Sequence, residues 1–436
     1  MDQISEKSEK IQGSSGEPLD REWLRKLCLE HGAEDVGFVE LERASLSDQL
    51  PDIKTTFGAT KSLVSFVIRM NRENIRSPMR SVANVDFHHT GDDILDTARH
   101  IVKALADVGI GAVYPAMGFP MEMDQFPGKT WVISHKPIAI EAGLGHMGIH
   151  RNLIHPKFGN FVLLGTLLVD REISKYNHPI DYNPCLECKL CVAACPVGAI
   201  GPDGHFDFAA CYNHNYTEFM GGFTAFTEKI ADAKDGKALR KTVTDSESAS
   251  WWQSLSFGAN YKAAYCLAVC PAGDDVIGPY LADKAEFKQQ VLKPLVDKEE
   301  NIYVVPGSDA HAHVIKRFKH KTPRLMRSHL RPTSITGFIN SLPLVFNRHK
   351  SKGLTATYHF TFEGAEKLKT TINIKDKQLT VSDGHTGEAD IRVTADSKAW
   401  LSFLRREKNL PLLLLTRKIQ LKGNPKFLKQ FGQCFR

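Results

Sequence analysis

The stretch CLECKLCVAACP, residues 185–196, places four cysteines at the spacing C-x2-C-x2-C-x3-C and follows the last one with a proline. Three thiolates two residues apart can wrap a tight loop around one iron–sulfur cubane, and the proline ends that loop. In ferredoxins with two clusters, the first three cysteines of such a run hold one cluster and the fourth binds the other. A zinc site usually has two separated C-x2-C pairs instead. The run therefore predicts iron–sulfur clusters and electron transfer.

A second run downstream, YCLAVCPAG, repeats the C-x3-C-P spacing. If the last cysteine of each run binds the cluster of the other run, the predicted ligands of the first cluster are Cys185, Cys188, Cys191 and Cys270. The predicted ligands of the second cluster are Cys195, Cys211 and Cys266. This set is one ligand short, because Ala263 stands where a fourth cysteine is expected. Either a non-cysteine group such as His214, Asn213 or a water completes a 4Fe-4S cluster there, or the cluster is of the 3Fe-4S type.

Composition and charge describe an ordinary globular protein. Of 436 residues, 42% are hydrophobic and 24% are charged, and the formal net charge is +6. Seven of the nine cysteines lie between residues 185 and 270, which indicates metal binding rather than a disulfide scaffold. The two remaining cysteines, Cys28 and Cys434, are expected to be structural.

The sequence also predicts where the protein resides and what it does not bind. The apolar runs FVLLGTLLVD and LPLLLLT are too short to span a bilayer, and the N-terminus lacks the apolar core of a secretory signal. We therefore expect a cytoplasmic protein without a membrane span. The basic residues 316–331 include a single aromatic residue, Phe318, rather than regularly interleaved aromatics, so we expect a solvated linker there and no DNA partner.

Hydrophobic periodicity divides the chain into segments of different character. Residues 19–175 alternate helical and extended patterns, which predicts an α/β domain. From about residue 326 the apolar positions alternate at period two and then give way to a helix with Asp396 as N-cap, which predicts an α+β domain. The predicted segments are a disordered tail (1–18), the α/β domain (19–175), the double-cluster domain (176–285), a connector broken by prolines (286–325) and the α+β domain (326–436).

A glycine-rich loop, AGLGHMGIHRN, contains G-x-G-x-x-G at Gly143, Gly145 and Gly148. The pattern imitates a dinucleotide fingerprint. Pro156 follows too soon for the helix that a βαβ crossover requires, and HKPIAIEA before the glycines looks helical rather than extended. We therefore expect the glycines to let the backbone approach either a large planar ligand or another strand closely.

The ordered combination of AGLGxxG, PKFG, LLGTLLVD and the cysteine run closely resembles epoxyqueuosine reductases and reductive dehalogenases over roughly residues 20–285. That resemblance implies a nitroreductase-like α/β domain that binds a corrinoid, with a ferredoxin-like domain that feeds it electrons through two clusters. It places a cobalamin near Gly143, Gly145 and Gly148. His146 stands where the family has an aromatic residue, SHKP stands near the family's acidic proton donor, and Phe87 falls near the tyrosine of the dehalogenases.

The C-terminal segments TYHFTFEGAE, TTINIKDKQLTVSDG, EADIRVTADSKAWLSFL and KIQLKGNPKFLKQF resemble the sterol carrier protein type 2 domain. This resemblance implies a five-stranded sheet with helices around an apolar tunnel that takes a lipid or another hydrophobic small molecule. The alternative is a packed core that serves as a docking or oligomerisation module.

Taken together, the resemblances imply a corrinoid-dependent iron–sulfur oxidoreductase acting on a hydrophobic substrate. An external donor such as ferredoxin or flavodoxin would supply the electrons. Histidines titrate near neutrality, so candidate proton donors are His135, His88 and His89, with Lys136 as a cationic stabiliser. The alternative is an iron–sulfur electron-transfer protein with a lipid-binding domain, without corrinoid and without catalysis of its own.

Overall fold

The computed structural model describes residues 17–118, 122, 131–185, 188–258, 262 and 264–435. Nearly all of the predicted tail, 1–18, lies outside the described residues, and so does Ala263. The described chain forms two compact units. Unit 1 comprises Met1–Ala194 and Ala264–Val296, and unit 2 comprises Cys195–Ala263 and Asp297–Arg436.

The strands of the described residues lie in two larger sheets and two small ones. In chain order they are β1 (Asp35–Glu40), β2 (Ser62–Arg69), β3 (Ala112–Val113), β4 (His146–Met147), β5 (Leu153–Ile154), β6 (Val162–Val169), β7 (Asn301–Val304), β8 (Thr322–Leu325), β9 (Thr355–Glu363), β10 (Leu368–Lys375), β11 (Gln378–Asp383), β12 (Ile391–Asp396) and β13 (Ile419–Gly423). The four-stranded sheet has the order β1-β2-β6-β3, and the five-stranded sheet has the order β11-β10-β9-β12-β13. The small sheets pair β4 with β5 and β7 with β8.

The helices are mostly short, with one long helix in unit 1. In chain order they are α1 (Arg21–Glu30), α2 (Leu50–Thr56), α3 (Arg72–Arg76), α4 (Arg80–Asp107), α5 (His135–Glu141), α6 (Leu190–Ala194), α7 (Phe208–Tyr216), α8 (Met220–Asp232), α9 (Gly236–Arg240), α10 (Asp245–Phe257), α11 (Tyr265–Ala268), α12 (Gly278–Ala282), α13 (Lys284–Phe287), α14 (Lys293–Val296), α15 (Asp309–Arg317), α16 (Ile335–Val345), α17 (Ser397–Leu404), α18 (Leu410–Leu415) and α19 (Lys426–Cys434). A 3₁₀ turn covers Ala44–Leu46 and a π-helical turn covers Lys288–Leu292. No helix in the described ranges combines the length and the apolar character that crossing a membrane requires.

Unit 1 has the helix and strand alternation that the sequence predicts. Asp20 caps α1 by accepting a hydrogen bond of 2.7 Å from the amide of Trp23. The interior strand β2 is buried along nearly its whole length. Cys28 lies at zero exposure on the inner face of α1, and burial raises its pKa to about 12, which fits a structural cysteine. The long helix α4 runs from Arg80 to Asp107.

The second cysteine run packs against the sheet domain of unit 1. A Cβ at Gly159 would overlap the carbonyl oxygen of Ala272, and the side-chain amide of Asn160 donates to the carbonyl of Leu267 at 3.3 Å. Residues 195–263 belong to unit 2 instead. The predicted double-cluster segment 176–285 is thus divided, since its first and last parts belong to unit 1 and its middle belongs to unit 2.

The segment predicted as a connector, 286–325, contains regular secondary structure. Strands β7 and β8 pair in parallel around α15, which Ser308 caps by accepting from the amide of His311. The ammonium of Lys321 lies 2.9 Å from the carboxylate of Glu300, and both side chains are buried. This part of the basic stretch 316–331 is thus held in place by a buried ion pair.

The C-terminal sheet has the five strands expected of the sterol-carrier-like domain. Asp396 caps α17 by accepting from the amide of Ala399 at 2.9 Å, as predicted. Aromatic rings fill the centre of the domain. Trp400 lies 5.6 Å from Phe338 and 5.4 Å from Phe360 between ring centroids, with Phe362 stacked beside Phe360. The second structural cysteine, Cys434, is buried in the same core.

Candidate functional site

Unit 1 brings together five cysteines from the two runs. Cys191 lies on α6 and Cys266 on α11, and these two helices pack against each other. Burial is the main cause that raises the pKa of the Cys191 thiol, and the nearby thiols of Cys266, Cys270, Cys188 and Cys185 raise it further. Burial likewise raises the pKa of Cys270 to about 12. The thiols are thus close enough to sense one another's charge.

The surroundings of these thiols suit an iron–sulfur cluster. The backbone N–H of Ile149 points at the sulfur of Cys185 with a separation of 3.4 Å, a contact of the kind that tunes cluster potentials. Ile154, Cys270 and Ala272 form a small buried cluster against which Tyr182 and Cys185 pack. Among the described side chains, no group of three His, Cys, Asp or Glu is spaced for a single metal ion.

A cation that sequence reasoning missed lies beside the same thiols. Arg76, at the end of α3, has its guanidinium 5.3 Å from the ring centroid of Phe161 and 5.2 Å from that of Phe287. Burial lowers its pKa to about 10, while the thiol of Cys270 is near enough to raise it. Its Nε and Nη2 find no hydrogen-bond partner among the described residues. Nothing in the local sequence RENIR marks this arginine, because its position depends on packing of α3 against α11.

The predicted ligands of the second cluster are divided between the two units. Cys266 belongs to unit 1, and Cys195 and Cys211 belong to unit 2. Burial raises the pKa of Cys195, whereas hydrogen bonds from the backbone N–H groups of residues 197–200 act to lower it. The amide nitrogen of Ala199 lies 3.2 Å from the Cys195 sulfur. The sulfur of Cys211 accepts from the side-chain amide of Asn215 at 3.2 Å. Both sulfurs therefore have the hydrogen-bonded surroundings that stabilise thiolates.

The two side chains considered as a replacement ligand are already engaged. The Oδ1 of Asn213 accepts from the amide of His329 at 2.8 Å, and its Nδ2 donates to Ser328. His214 is buried, and its Nδ1 accepts from the amide of Tyr303 at 3.3 Å. These bonds weigh against Asn213 in particular, because both ends of its amide are used.

The three loop glycines make close contacts with the chain itself. A Cβ at Gly145 would overlap the carbonyl oxygen of Ile154, because β4 and β5 pair His146 with Ile154 at this point. A Cβ at Gly143 would lie 2.8 Å from the carbonyl oxygen of His178, and one at Gly148 would lie 2.5 Å from the ring of His150. Approach to another strand, one of the two alternatives for these glycines, is what the structure shows at Gly145. The strand β5 follows the loop where a dinucleotide fold has a helix.

Two of the predicted polar residues are fixed by the protein rather than open to a ligand. His135 is buried, with its Nδ1 2.8 Å from the hydroxyl of Thr166 and its Nε2 3.2 Å from the carbonyl of Ala116. Burial lowers its pKa to about 4, so it is neutral near pH 7. The ammonium of Lys136 donates to the carbonyl of Arg151 at 2.6 Å. The expectation that His135 donates a proton is therefore revised to a structural role.

The other two predicted histidines lie on α4. His88 is half-buried, and burial lowers its pKa. Its ring meets that of Phe87 edge-on with 5.5 Å between centroids. His89 is exposed. Because successive helical residues point in different directions, these two histidines do not form one site.

His150 is the histidine of this loop that sequence reasoning passed over. It is buried, and its Nδ1 accepts from the amide of Asn152 at 3.1 Å, which leaves the proton on Nε2. That Nε2 finds no partner within the described part of the chain. Burial, followed by the charge of Lys136, lowers its pKa to about 4. A buried N–H donor without a partner is costly unless a bound group supplies the acceptor. In the sequence, the position of His150 two residues after Gly148 was the signal that could have identified it as a candidate site residue.

Comparisons with known proteins agree with the motif-based resemblances. Residues 178–201 match the 4Fe-4S binding domain, and residues 345–436 match the SCP-2 sterol transfer family. The epoxyqueuosine reductase of Vibrio cholerae is 34% identical over 142 residues, which is 32% of this chain and 36% of that protein. This chain spans 36% to 52% of the length of the epoxyqueuosine reductases of Vibrio cholerae, Cyclobacterium marinum and Aliivibrio fischeri.

Solved structures of an epoxyqueuosine reductase and of a reductive dehalogenase are similar to this chain at lower sequence identity. Epoxyqueuosine reductase from Streptococcus thermophilus is 18% identical with a TM-score of 0.33, covering 43% of this chain and 55% of that one. A reductive dehalogenase described as B12-dependent is 16% identical with a TM-score of 0.37, covering 59% of this chain and 40% of that one. The predicted resemblances to epoxyqueuosine reductases and to the sterol carrier domain are confirmed by the sequence matches.

Proposed function

We propose that this relative of the epoxyqueuosine reductases is an iron–sulfur oxidoreductase that passes electrons from an external donor such as ferredoxin or flavodoxin to a substrate held near the glycine-rich loop. One observation carries the proposal. The cysteine cluster of unit 1 adjoins that loop directly, because the amide of Ile149 points at Cys185 and Ile154 contacts Cys270. A cluster at these thiols would deliver electrons beside the loop.

In this proposal Cys185, Cys188, Cys191 and Cys270 hold the cluster next to the loop, and Cys195, Cys211 and Cys266 belong to a second one. The five thiols of unit 1 repel one another once ionised, and the iron ions of a cluster would compensate that charge. Arg76 adds a positive charge near Cys270, which favours the reduced, more negative form of the cluster.

The corrinoid belongs to the proposal through the family resemblance, and His150 is the residue that supports it. When bound, a cobalamin supplies a cobalt centre that changes its oxidation state. The buried Nε2–H of His150 would donate a hydrogen bond to an oxygen of the bound group, and Lys136 would add positive charge nearby. The neutral state of His150 near pH 7 suits hydrogen-bond donation.

A second function is favoured by the glycine contacts. Since the chain's own carbonyl groups explain Gly143 and Gly145, the loop does not require a planar ligand. This supports an electron-transfer protein without a corrinoid.

A lipid ligand of the C-terminal domain is also part of the proposal. The ring packing around Trp400 supports the alternative of a packed core, because a bound lipid chain would have to displace aromatic side chains.

Anaerobic titration of the purified protein with cobalamin separates the two functions. Corrinoid-dependent catalysis predicts saturable changes in the corrinoid absorption bands at one equivalent, together with reduction of the bound corrinoid through the clusters. A protein that retains its clusters and leaves the cobalamin spectrum unchanged is an electron carrier, and the corrinoid is then rejected.

A further inference from the structure

The end of helix α10, in unit 2, exposes three large apolar side chains. Trp252 is 61% exposed, Leu255 is 47% exposed and Phe257 is 69% exposed. The rings of Trp252 and Phe257 meet edge-on with 5.9 Å between centroids. Leu255 follows Trp252 by three residues on the same helix, so these two side chains are neighbours on its surface. The three residues therefore form one apolar surface, here called the α10 patch.

A second helix of unit 2, α8, contacts α10 and adds apolar surface beside it. The ring of Phe226 on α8 lies 4.6 Å from that of the buried Trp251 on α10, measured between centroids. Phe223 precedes Phe226 by three residues and Ile230 follows it by four, so all three lie on one side of α8. Phe223 is 46% exposed and Ile230 is 47% exposed. The contact between the two helices thus leaves apolar side chains uncovered on both of them.

Charge is absent from the part of α10 that carries the patch. Residues 248–258, SASWWQSLSFG, contain no Lys, Arg, Asp or Glu. The acidic residues of α10 lie in its first turn, where Asp245 is 3.2 Å from Arg240 and Glu247 is 2.7 Å from Arg324. The cores of protein–protein interfaces are likewise poor in charged residues and rich in aromatic ones. The composition of the patch is therefore that of an interface core.

We propose that the protein forms a homodimer in which the α10 patch packs against the same patch of a second copy. In a two-fold symmetric dimer the same surface of both copies meets, so a residue near the axis faces its own counterpart. A charged residue there would repel its counterpart, and the patch has none. The proposal does not depend on either cluster or on a corrinoid.

The exposed apolar area is of the size that a stable dimer requires. The five exposed side chains of α8 and α10 present roughly 500 Å² of apolar surface, taking about 150–250 Å² for a whole aromatic side chain. A standard interface covers about 800 Å² on each partner, of which about 60% is apolar. The two helices therefore supply about the apolar area that one partner of a dimer contributes.

Other partners fit the patch less well. An acidic electron donor would be attracted by basic residues, and a single-stranded nucleic acid requires a positively charged groove beside the aromatic rings. Residues 248–258 provide no positive charge for either. A second copy of the chain requires none, because two uncharged apolar surfaces associate by excluding water.

The test is sedimentation equilibrium of the intact chain under anaerobic conditions. We expect twice the mass of one chain at micromolar concentrations. The double variant Trp252→Ser, Phe257→Ser should raise the dissociation constant of the dimer at least about 100-fold, because each replacement acts twice in a symmetric interface.

Charges placed in the patch test whether it faces itself. Ser256 is exposed and follows Trp252 by four residues on α10. Ser256→Glu and Ser256→Lys should each weaken the dimer, because like charges would then meet across the axis. An equimolar mixture of the two variants should dimerise more tightly than either variant alone, because opposite charges would face each other.

Matched controls use exposed leucines elsewhere in the chain. Leu415 on α18 is 82% exposed in the same unit, and Leu281 on α12 is 64% exposed in unit 1. Leu415→Ser and Leu281→Ser should leave the dissociation constant unchanged. Circular dichroism spectra that match the wild type show that the variants fold.

Three results overturn the proposal. The first is a wild-type chain that stays monomeric throughout the micromolar range. The second is a Trp252→Ser, Phe257→Ser protein that dimerises as tightly as the wild type, which would place the interface elsewhere. The third is a mixture of the two Ser256 variants that dimerises no better than either variant alone, which would show that the patch does not face its own copy.

Discussion

Replacement of Gly145 by alanine tests whether the loop glycines serve the fold or a ligand. Gly145 has φ of +155°, a backbone conformation that residues with a Cβ rarely adopt. An ideal Cβ there would overlap the carbonyl oxygen of Ile154 and lie 2.9 Å from its carbonyl carbon and 3.2 Å from the Cα of His155. All three are backbone atoms of the paired strand, so no side chain can rotate away to make room.

The expected cost follows from two contributions. The backbone strain contributes about 1–3 kcal/mol. Displacement of β5 weakens the β4–β5 pairing, which contributes about 1 kcal/mol for each hydrogen bond lost. We therefore expect Gly145→Ala to lower the free energy of unfolding of unit 1 by about 2–4 kcal/mol. The control is Gly109→Ala, with φ of +77° and no atom within 4 Å of the added Cβ, which should show the strain alone.

Urea denaturation of the anaerobic protein, combined with amide hydrogen exchange, measures both effects. The amide of Gly148 donates to the carbonyl of Asn152 across this turn. Its exchange rate should rise in Gly145→Ala and stay at the wild-type value in the Gly109→Ala control. A Gly145→Ala protein as stable as the Gly109 control, but with weakened cobalamin binding, would refute the internal explanation of this glycine.

Three further predictions concern single side chains. Burial opposes ionisation of Asp35, but hydrogen bonds from His155 and Arg25 lower its pKa to about 2, so its contribution to stability is present above the unfolded pKa and is lost as pH falls toward 2. Asp35→Asn should remove that part of the acid dependence, and an unchanged acid denaturation curve would contradict this. His150→Phe should weaken cobalamin binding about tenfold, and His150→Gln, which restores a donor, should recover part of it. Equal affinities in all three proteins would exclude the proposed contact. Arg76→Leu should make the potential of the adjacent cluster more negative, on the order of tens of millivolts, by removing a nearby cation. A redox titration that gives the wild-type midpoint would show that Arg76 does not act on it.

Local patterns in the sequence predicted most of the regular structure. The buried run of β2, the capped helix α1 and the Asp396 cap of α17 each depend on residues close together in the chain, so their signals are local. The folded element β7-α15-β8 was missed because its strands are only four residues long and one contains a proline, which reads as a breaker.

Long-range packing explains what the sequence could not reveal at the site. The cysteine spacing predicted a set of ligands, but the position of Arg76 between two aromatic rings depends on contacts across the fold. The glycines of the loop left two explanations open in the sequence, and the pairing of His146 with Ile154 accounts for the close backbone approach at Gly145. His135 and His150 look alike in the sequence, and hydrogen bonding to Thr166 and Ala116 sets His135 apart.

Iron and acid-labile sulfide analysis of anaerobically purified wild-type and Cys188→Ala proteins tests the central claim most directly. Two clusters predict about eight irons and eight sulfides per wild-type chain, fewer by one if the second cluster has three irons. Cys188→Ala should lose the irons of the cluster beside the loop, with loss of one electron paramagnetic resonance signal from the reduced protein. Stoichiometric zinc without iron in the wild type, or unchanged iron in Cys188→Ala, would contradict the account.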